Sequence, residues 1–129
     1  MEQRKNRSRK REAIYACVCS TDSHPTADWV YQQVKPSFPD LSIATVYRNL
    51  AMFKREGRIG SVGVEDGLER FDRNAAPHAH FICRRCHRVM DAEAFCVPPE
   101  LCGEAGRQLG ARIDACELTF RGLCSACAD

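Results

Sequence analysis

The sequence predicts an α+β chain in two parts, with three helices and a hairpin in front and a small strand-and-helix module behind. Three observations predict it. Apolar residues recur at helical spacing in three front segments, separated by His24-Pro25, Lys35-Pro36 and Phe38-Pro39. An Asp66-Gly67 turn flanked by strand candidates follows the third segment. Cys83-x2-Cys86 and Cys124-x2-Cys127 lie in the back half, two thiolate knuckles that suit one tetrahedral ion. The expected division is residues 1–72, a link at 73–77, and residues 78–129.

Composition narrows the function classes. At 129 residues the chain is one domain or two small ones, and small cores benefit from a structural metal. No apolar run approaches 18 residues, and the basic N-terminus lacks an apolar signal segment, so neither a membrane span nor secretion is expected. Nine cysteines without a secretory signal point to a reducing cytoplasmic setting, where thiols bind metal. Residues 1–58 hold eleven Lys/Arg against six Asp/Glu, while residues 59–129 hold eight against eleven. A basic front half suggests a polyanionic partner.

Taken in order, the run Arg4 to Arg11 is a solvated terminus or a phosphate-contacting arm. Ser8 is the expected cap of a first helix carrying Ala13, Ile14, Cys17 and Val18. Thr26 caps a second with Trp29, Val30 and Val34 on one side. Ser42 caps a third, stopped by Gly57, with Ile43, Val46, Leu50 and Phe53 inward. Ala44, Thr45, Tyr47, Arg48 and Ala51 are left outward or sideways. Such a helix fits a major groove: small residues allow close approach, Arg reads guanine or holds phosphate, and Tyr touches a thymine methyl or a phosphate. The bland alternative is a three-helix bundle with a solvated third helix. Residues 59–64 and 68–71 form the hairpin, a wing by position, so the front half reads as a winged helix-turn-helix. In the back half, residues 80–83 and 88–92 are strands, Pro98-Pro99 opens a helix with Leu101, Ala105 and Leu109, Gly110 ends it, and 111–120 is a third strand. An open edge of that sheet invites a second copy of the chain.

The four cysteines, spaced Cys83-x2-Cys86-x37-Cys124-x2-Cys127, predict a structural zinc, with an iron–sulfur cluster as the minor alternative. Cys17, Cys19, Cys96, Cys102 and Cys116 remain outside that set. His78 and His80 alternate along a strand, so both face one side and together grip a second ion.

Ser42-Ile-Ala-Thr-Val-Tyr-Arg-Asn-Leu50 and His78-x-His80-x2-Cys83-x2-Cys86 together resemble the ferric uptake regulator superfamily. Arg11, His24-Pro-Thr-Ala-Asp28, Arg70-Phe-Asp72 and Gly122-x-Cys124-x2-Cys127 extend the resemblance over nearly the whole chain. It implies a homodimeric, metal-dependent repressor, not an enzyme, binding a pseudo-palindromic double-stranded operator. The implied architecture is a winged-helix DNA-binding domain hinged to an α/β dimerisation domain. No membrane and no small organic substrate are implied. DNA contacts map to Ala44, Thr45, Tyr47, Arg48, Arg7 and Arg11. The implied regulatory site is His24, Asp72, His78, His80 and Asp91, a nitrogen/oxygen set suited to Fe(II) or Mn(II). Singly, His24 is a helix stop, Asp72 a hairpin end and Asp91 a surface carboxylate.

Asp at position 91 resembles the peroxide-sensing branch, where iron sensors typically carry Glu. That branch implies Fe(II)-dependent oxidation of the imidazoles at His24 and His78, then release of DNA. Arg48 departs from it, since peroxide sensors more often carry Asn there. His87 stands where the family usually has Gly, and is expected as a solvated turn residue. Ala79 and Cys116 replace ligands of a third site in some members, and Asn6 stands where many have a basic residue. The nearest rival is an Fe(II)- or Mn(II)-concentration sensor of the same family. A zinc sensor would want cysteine in the regulatory set, a metallohydrolase finds no general base, and a thiol redox protein would switch through disulfides.

Overall fold

The computed structural model describes residues 2–65, 67–76 and 78–128, and the chain forms two compact units, Met1–Ala76 and Pro77–Asp129. Asp66 of the expected turn and Pro77 of the expected link fall outside the described residues.

The first unit begins with α1, Glu2–Cys19, earlier than the sequence suggested. Ser8 is inside the helix, not its cap. The Lys and Arg residues of the run Arg4 to Arg11, with Glu2, Gln3 and Glu12 flanking it, are good helix formers, and they extend the helix without an apolar stripe. The N-terminal turns are tethered: Lys10 Nζ and Asn6 Nδ2 donate to Asp40 Oδ2 at 2.9 and 3.4 Å. Thr26 caps α2, Ala27–Val34, its side chain accepting from Trp29 N–H at 3.2 Å. The buried face of α2 is Ala27, Val30 and Val34; Trp29, expected on the same side as Val30 and Val34, is exposed instead. One residue before Val30, Trp29 lies roughly 100° around the helix. A 3-10 turn, Lys35–Ser37, leads to α3, Ile43–Arg55, where Ser42 Oγ accepts from Thr45 N–H at 3.1 Å. Val46, Leu50 and Phe53 are buried, whereas Ile43 in the first turn is half-buried.

These helices and the hairpin share one core: Ile14, Val18, Val30, Leu41, Val46, Leu50, Phe53, Ile59 and Phe71 are among its members. The hairpin pairs β1, Gly60–Glu65, antiparallel with β2, Leu68–Asp72, with an irregularity between Ser61 and Gly63. On its other side β2 meets the approach to α2. Phe71 N–H donates to Pro25 O at 2.9 Å, and Thr26 bridges Arg70.

The second unit is a three-stranded sheet in the order β4-β3-β5, with β3 spanning Ala79–Cys83, β4 Val89–Ala92 and β5 Thr119–Gly122. β4 is antiparallel to β3 and β5 is parallel to it. The third strand is therefore much shorter than 111–120. Residues 112–118 carry no strand, consistent with the poor alternation of Ile113 and Leu118. Helix α4, Pro99–Leu109, begins at the Pro98-Pro99 pair and ends at Gly110, whose φ of 62° is the left-handed cap conformation glycine adopts without a Cβ clash. None of the α4 residues is buried within the chain. Among the described residues, no helix is long and apolar enough to cross a membrane.

Candidate metal centres and the exposed helix face

The β3–β4 turn carries Cys83 and Cys86, and the turn after β5 carries Cys124 and Cys127. Parallel pairing of Cys83 with Gly122 brings the two turns together. The four sulfur atoms lie within 4.8 Å of one another, with Cys86 Sγ and Cys124 Sγ at 3.7 Å. A tetrahedron with Zn–S bonds of about 2.3 Å has edges near ~3.8 Å, so this donor set fits a zinc ion. A disulfide needs sulfurs at about 2.05 Å.

Backbone N–H groups are already turned toward the sulfurs. Cys86 N and Cys124 N each reach Cys83 Sγ at 3.5 Å, and they pull that thiol down to about 5. Interaction with Cys124, then burial, pushes Cys127 up to about 12. One thiolate in the cluster thus suppresses ionisation of a neighbour, a conflict that a dication removes. Arg85 Nη1 donates to Cys127 O at 3.0 Å and ties the knuckles together, a contact that no spacing rule announces. His87 is an exposed turn residue with φ of 63° and its N–H on Cys83 O at 2.9 Å. That left-handed position is one where glycine is the easier choice.

The nitrogen and oxygen ligands form two groups, one in each unit. In the second unit, the β3–β4 register sets Asp91 directly opposite His80, and His78 lies two residues before His80. Asp91 Oδ1 lies 2.8 Å from His78 Nε2 and 3.4 Å from His80 Nε2, and the two rings are 4.3 Å apart. Two imidazole nitrogens converging on one carboxylate oxygen form a set suited to a first-row divalent ion. In the first unit, the Thr26–Arg70 bridge, continued two residues outward, sets His24 opposite Asp72. Arg70 Nη1 holds His24 O at 3.1 Å, and His24 Nε2 stands 3.5 Å from Asp72 Oδ2, both residues buried. His24 has φ of 58°, so the chain reverses there between α1 and α2.

On α3, Tyr47, Arg48 and Ala44 are exposed and Thr45 half-buried. Arg48 Nη2 donates to Thr45 Oγ1 at 3.1 Å, and Thr45 Oγ1 lies 2.9 Å from Ser42 Oγ. Arg7 and Arg11 are exposed on α1. Sequence reasoning missed a further cluster in this unit, Lys54, Ser61 and Glu69, which the hairpin register assembles. Ala79 is buried, and Cys96 and Cys116 are exposed.

Known proteins resemble this chain in sequence and in fold. The profile of the Ferric uptake regulator family matches residues 3–119. The peroxide-responsive repressor PerR of Staphylococcus epidermidis is 43% identical over 82 residues, which is 64% of this chain and 55% of that protein. PerR of Staphylococcus aureus strain USA300 is 42% identical over the same length and shares. The chain thus spans about half the length of the curated relatives it matches. Among solved structures, the Campylobacter jejuni peroxide stress regulator superposes with a TM-score of 0.74 at 21% identity, covering 98% of this chain and 94% of that one. The Helicobacter pylori ferric uptake regulator Fur gives 0.73 at 18% identity, covering 98% and 87%. At these identities the structural likeness is one of fold.

Proposed function

The chain belongs to the ferric uptake regulator family, and from that premise we propose that it is a metal-dependent, homodimeric DNA-binding repressor that senses hydrogen peroxide. The observation that carries the reading is the His78–His80–Asp91 group, in which an aspartate meets both imidazoles. Similarity to proteins named as peroxide-responsive repressors supports it. In this reading Cys83, Cys86, Cys124 and Cys127 hold structural zinc. His24 and Asp72 join His78, His80 and Asp91 around one regulatory Fe(II) or Mn(II), and residues 73–77 are the hinge. A ligand set drawn from both units favours one inter-unit arrangement, and its higher affinity for that arrangement shifts the population toward the DNA-competent form.

Tyr47 and Arg48 meet base edges and phosphates of a pseudo-palindromic duplex, Ala44 and Thr45 let the helix approach, and Arg7 and Arg11 add phosphate contacts. Fe(II) held by these residues would catalyse the reduction of hydrogen peroxide beside the imidazoles, with the oxidised ring as the net source of both electrons, and Mn(II) would not. In net terms one peroxide oxygen enters a ring carbon of His24 or His78 and the other leaves as water. The oxidised ring is a poorer donor, so the set loses an arm and the population returns to the form that releases DNA. Arg48 favours the second reading, a sensor of Fe(II) or Mn(II) concentration, because iron-sensing members carry Arg after Tyr.

The test is peptide mass spectrometry of Fe(II)-loaded protein after a low dose of hydrogen peroxide, with a Mn(II)-loaded control and DNA binding read in parallel. One added oxygen on the His24 or His78 peptide, only with iron and together with release of DNA, is the expected result. Unmodified histidines with retained binding would favour the concentration sensor. His24→Ala is expected to abolish metal-activated DNA binding while zinc stays bound; a variant still switched fully by Mn(II) removes His24 from the site.

A further inference from the structure

The β1–β2 hairpin follows the exposed helix α3 as a wing, yet its charge is wrong for phosphate. Residues 59–72 hold Glu65, Asp66, Glu69 and Asp72 against Arg70 alone. Near the tip, Val64 and Leu68 are exposed. What the hairpin does have is a connection to α3. Lys54, in the last turn of α3, donates from Nζ to Glu69 Oε2 on β2 at 2.8 Å. Ser61 Oγ on β1 donates to the same oxygen at 2.5 Å. Gly63 N–H donates in turn to Ser61 Oγ at 3.1 Å. Val62 drops out of the ladder there, and Gly63 has φ of 99°, a conformation that side chains disfavour. One carboxylate oxygen therefore gathers α3, β1 and the bulge. Burial pushes the Glu69 carboxyl up, but the bonds from Lys54 and Ser61 outweigh it and hold the carboxyl below the usual range.

We infer that Glu69 is a positioning residue for DNA recognition, bracing the C-terminal end of α3 through Lys54, and that the wing acts through this brace and not by touching the phosphate backbone. The inference rests on the DNA-binding reading above. Its rival is direct: Lys54 is a phosphate ligand, and Glu69 only competes for it. The two readings predict opposite signs. Removing the Glu69 charge weakens DNA binding if Glu69 braces, and leaves it unchanged or tightens it if Glu69 competes.

The probe is a set of about 30-bp duplexes, roughly three helical turns, selected from a random pool by the wild-type Mn(II)-loaded protein. Affinity is measured by fluorescence anisotropy across a salt series. A wild type that selects nothing overturns the repressor reading and the brace with it. With selected duplexes in hand, Glu69→Gln and Lys54→Met are each expected to weaken binding roughly three- to tenfold. The slope against salt should stay unchanged, and the double variant should be no weaker than either single one. Glu69→Gln binding as tightly as wild type overturns the inference. So does a salt slope that falls by about one in Lys54→Met, the mark of a lost phosphate contact. Melting followed by fluorescence of Trp29, the one tryptophan, checks that the variants fold. Should Glu69→Gln unfold, Ser61→Ala takes its place and is expected to weaken binding in the same direction. A tip variant, Glu65→Gln with Asp66→Asn, is expected to bind as wild type does; tighter binding with a steeper slope would put the tip over phosphate.

Discussion

Asp40 shows how one side chain organises a stretch that its own sequence leaves ambiguous. The run Arg4 to Arg11 is rich in helix formers but has no apolar stripe, so its sequence does not show what packs the helix in place. Lys10 and Asn6, one turn apart, both donate to Asp40, and this anchors the early turns of α1 beside the loop that leads to α3. The Lys10 hydrogen bond holds the Asp40 carboxyl below the usual carboxylate range. A carboxyl depressed on folding stabilises the fold above its unfolded pKa of about 3.9, and that contribution is lost as pH falls through the lower, folded value. Asp40→Asn is therefore expected to lower the urea midpoint of the first unit at pH 7, read by Trp29 fluorescence. The gap to wild type should close well below the ordinary carboxylate pKa. A gap that persists there would assign the effect to geometry and not to charge.

Among elements, legibility followed how local the determinants are. Helices α2 and α3 were plain because Thr26 and Ser42 stand where their caps are used, and Pro36 follows the end of α2 as Gly57 follows the end of α3. Strand β5 was not, because its place depends on pairing Thr119 with His80, far away in sequence, and not on alternation within residues 111–120. The same contrast holds for the candidate ligands. The cysteine knuckles announce themselves by spacing, but the approach of His24 to Asp72 comes from the Thr26–Arg70 bridge, which spacing does not show; in the sequence only the family resemblance put the two residues together. The second unit also buries little: Ala79, Ile82, Cys83, Val89 and Cys124 are its buried apolar residues among those described. Its outer pairing is parallel, with β4 and α4 between the paired strands, so nothing short closes it. In the reading proposed above, zinc in the four-cysteine set closes it, and structural zinc contributes about 10–16 kcal/mol in small zinc-dependent peptides. Cys124→Ser, or a strong chelator, is expected to abolish the cooperative melting of this unit while the Trp29 signal of the first unit still melts as before. An unchanged second transition after complete zinc removal would show that the sheet stands without metal.

At the scale of the whole molecule, the two units expose different kinds of side chain. The first presents Tyr47, Arg48, Arg7 and Arg11, and the second presents apolar groups that its own chain does not cover. Leu101, Leu109, Phe95, Phe120 and Met90 are all exposed, and Leu109 reaches 71%. Isolated apolar residues on a surface need no explanation, but α4 has an apolar row, Leu101, Ala105 and Leu109, and no buried residue. The proposed occupant is a second copy of the chain, which also supplies the second α3 that a pseudo-palindromic duplex requires. Linking two modest DNA-binding faces multiplies affinity by about 10²–10⁴ without any new contact. The double variant Leu109→Asp, Phe120→Asp is accordingly expected to sediment as a monomer. It should bind a two-half-site duplex at least about a hundredfold more weakly, while binding a single half-site as wild type does. Its metal content should not change, because every ligand assigned to zinc or to the regulatory ion belongs to one chain. A variant that remains dimeric would move the interface elsewhere, and a monomer with undiminished affinity for the full duplex would remove dimerisation from the function.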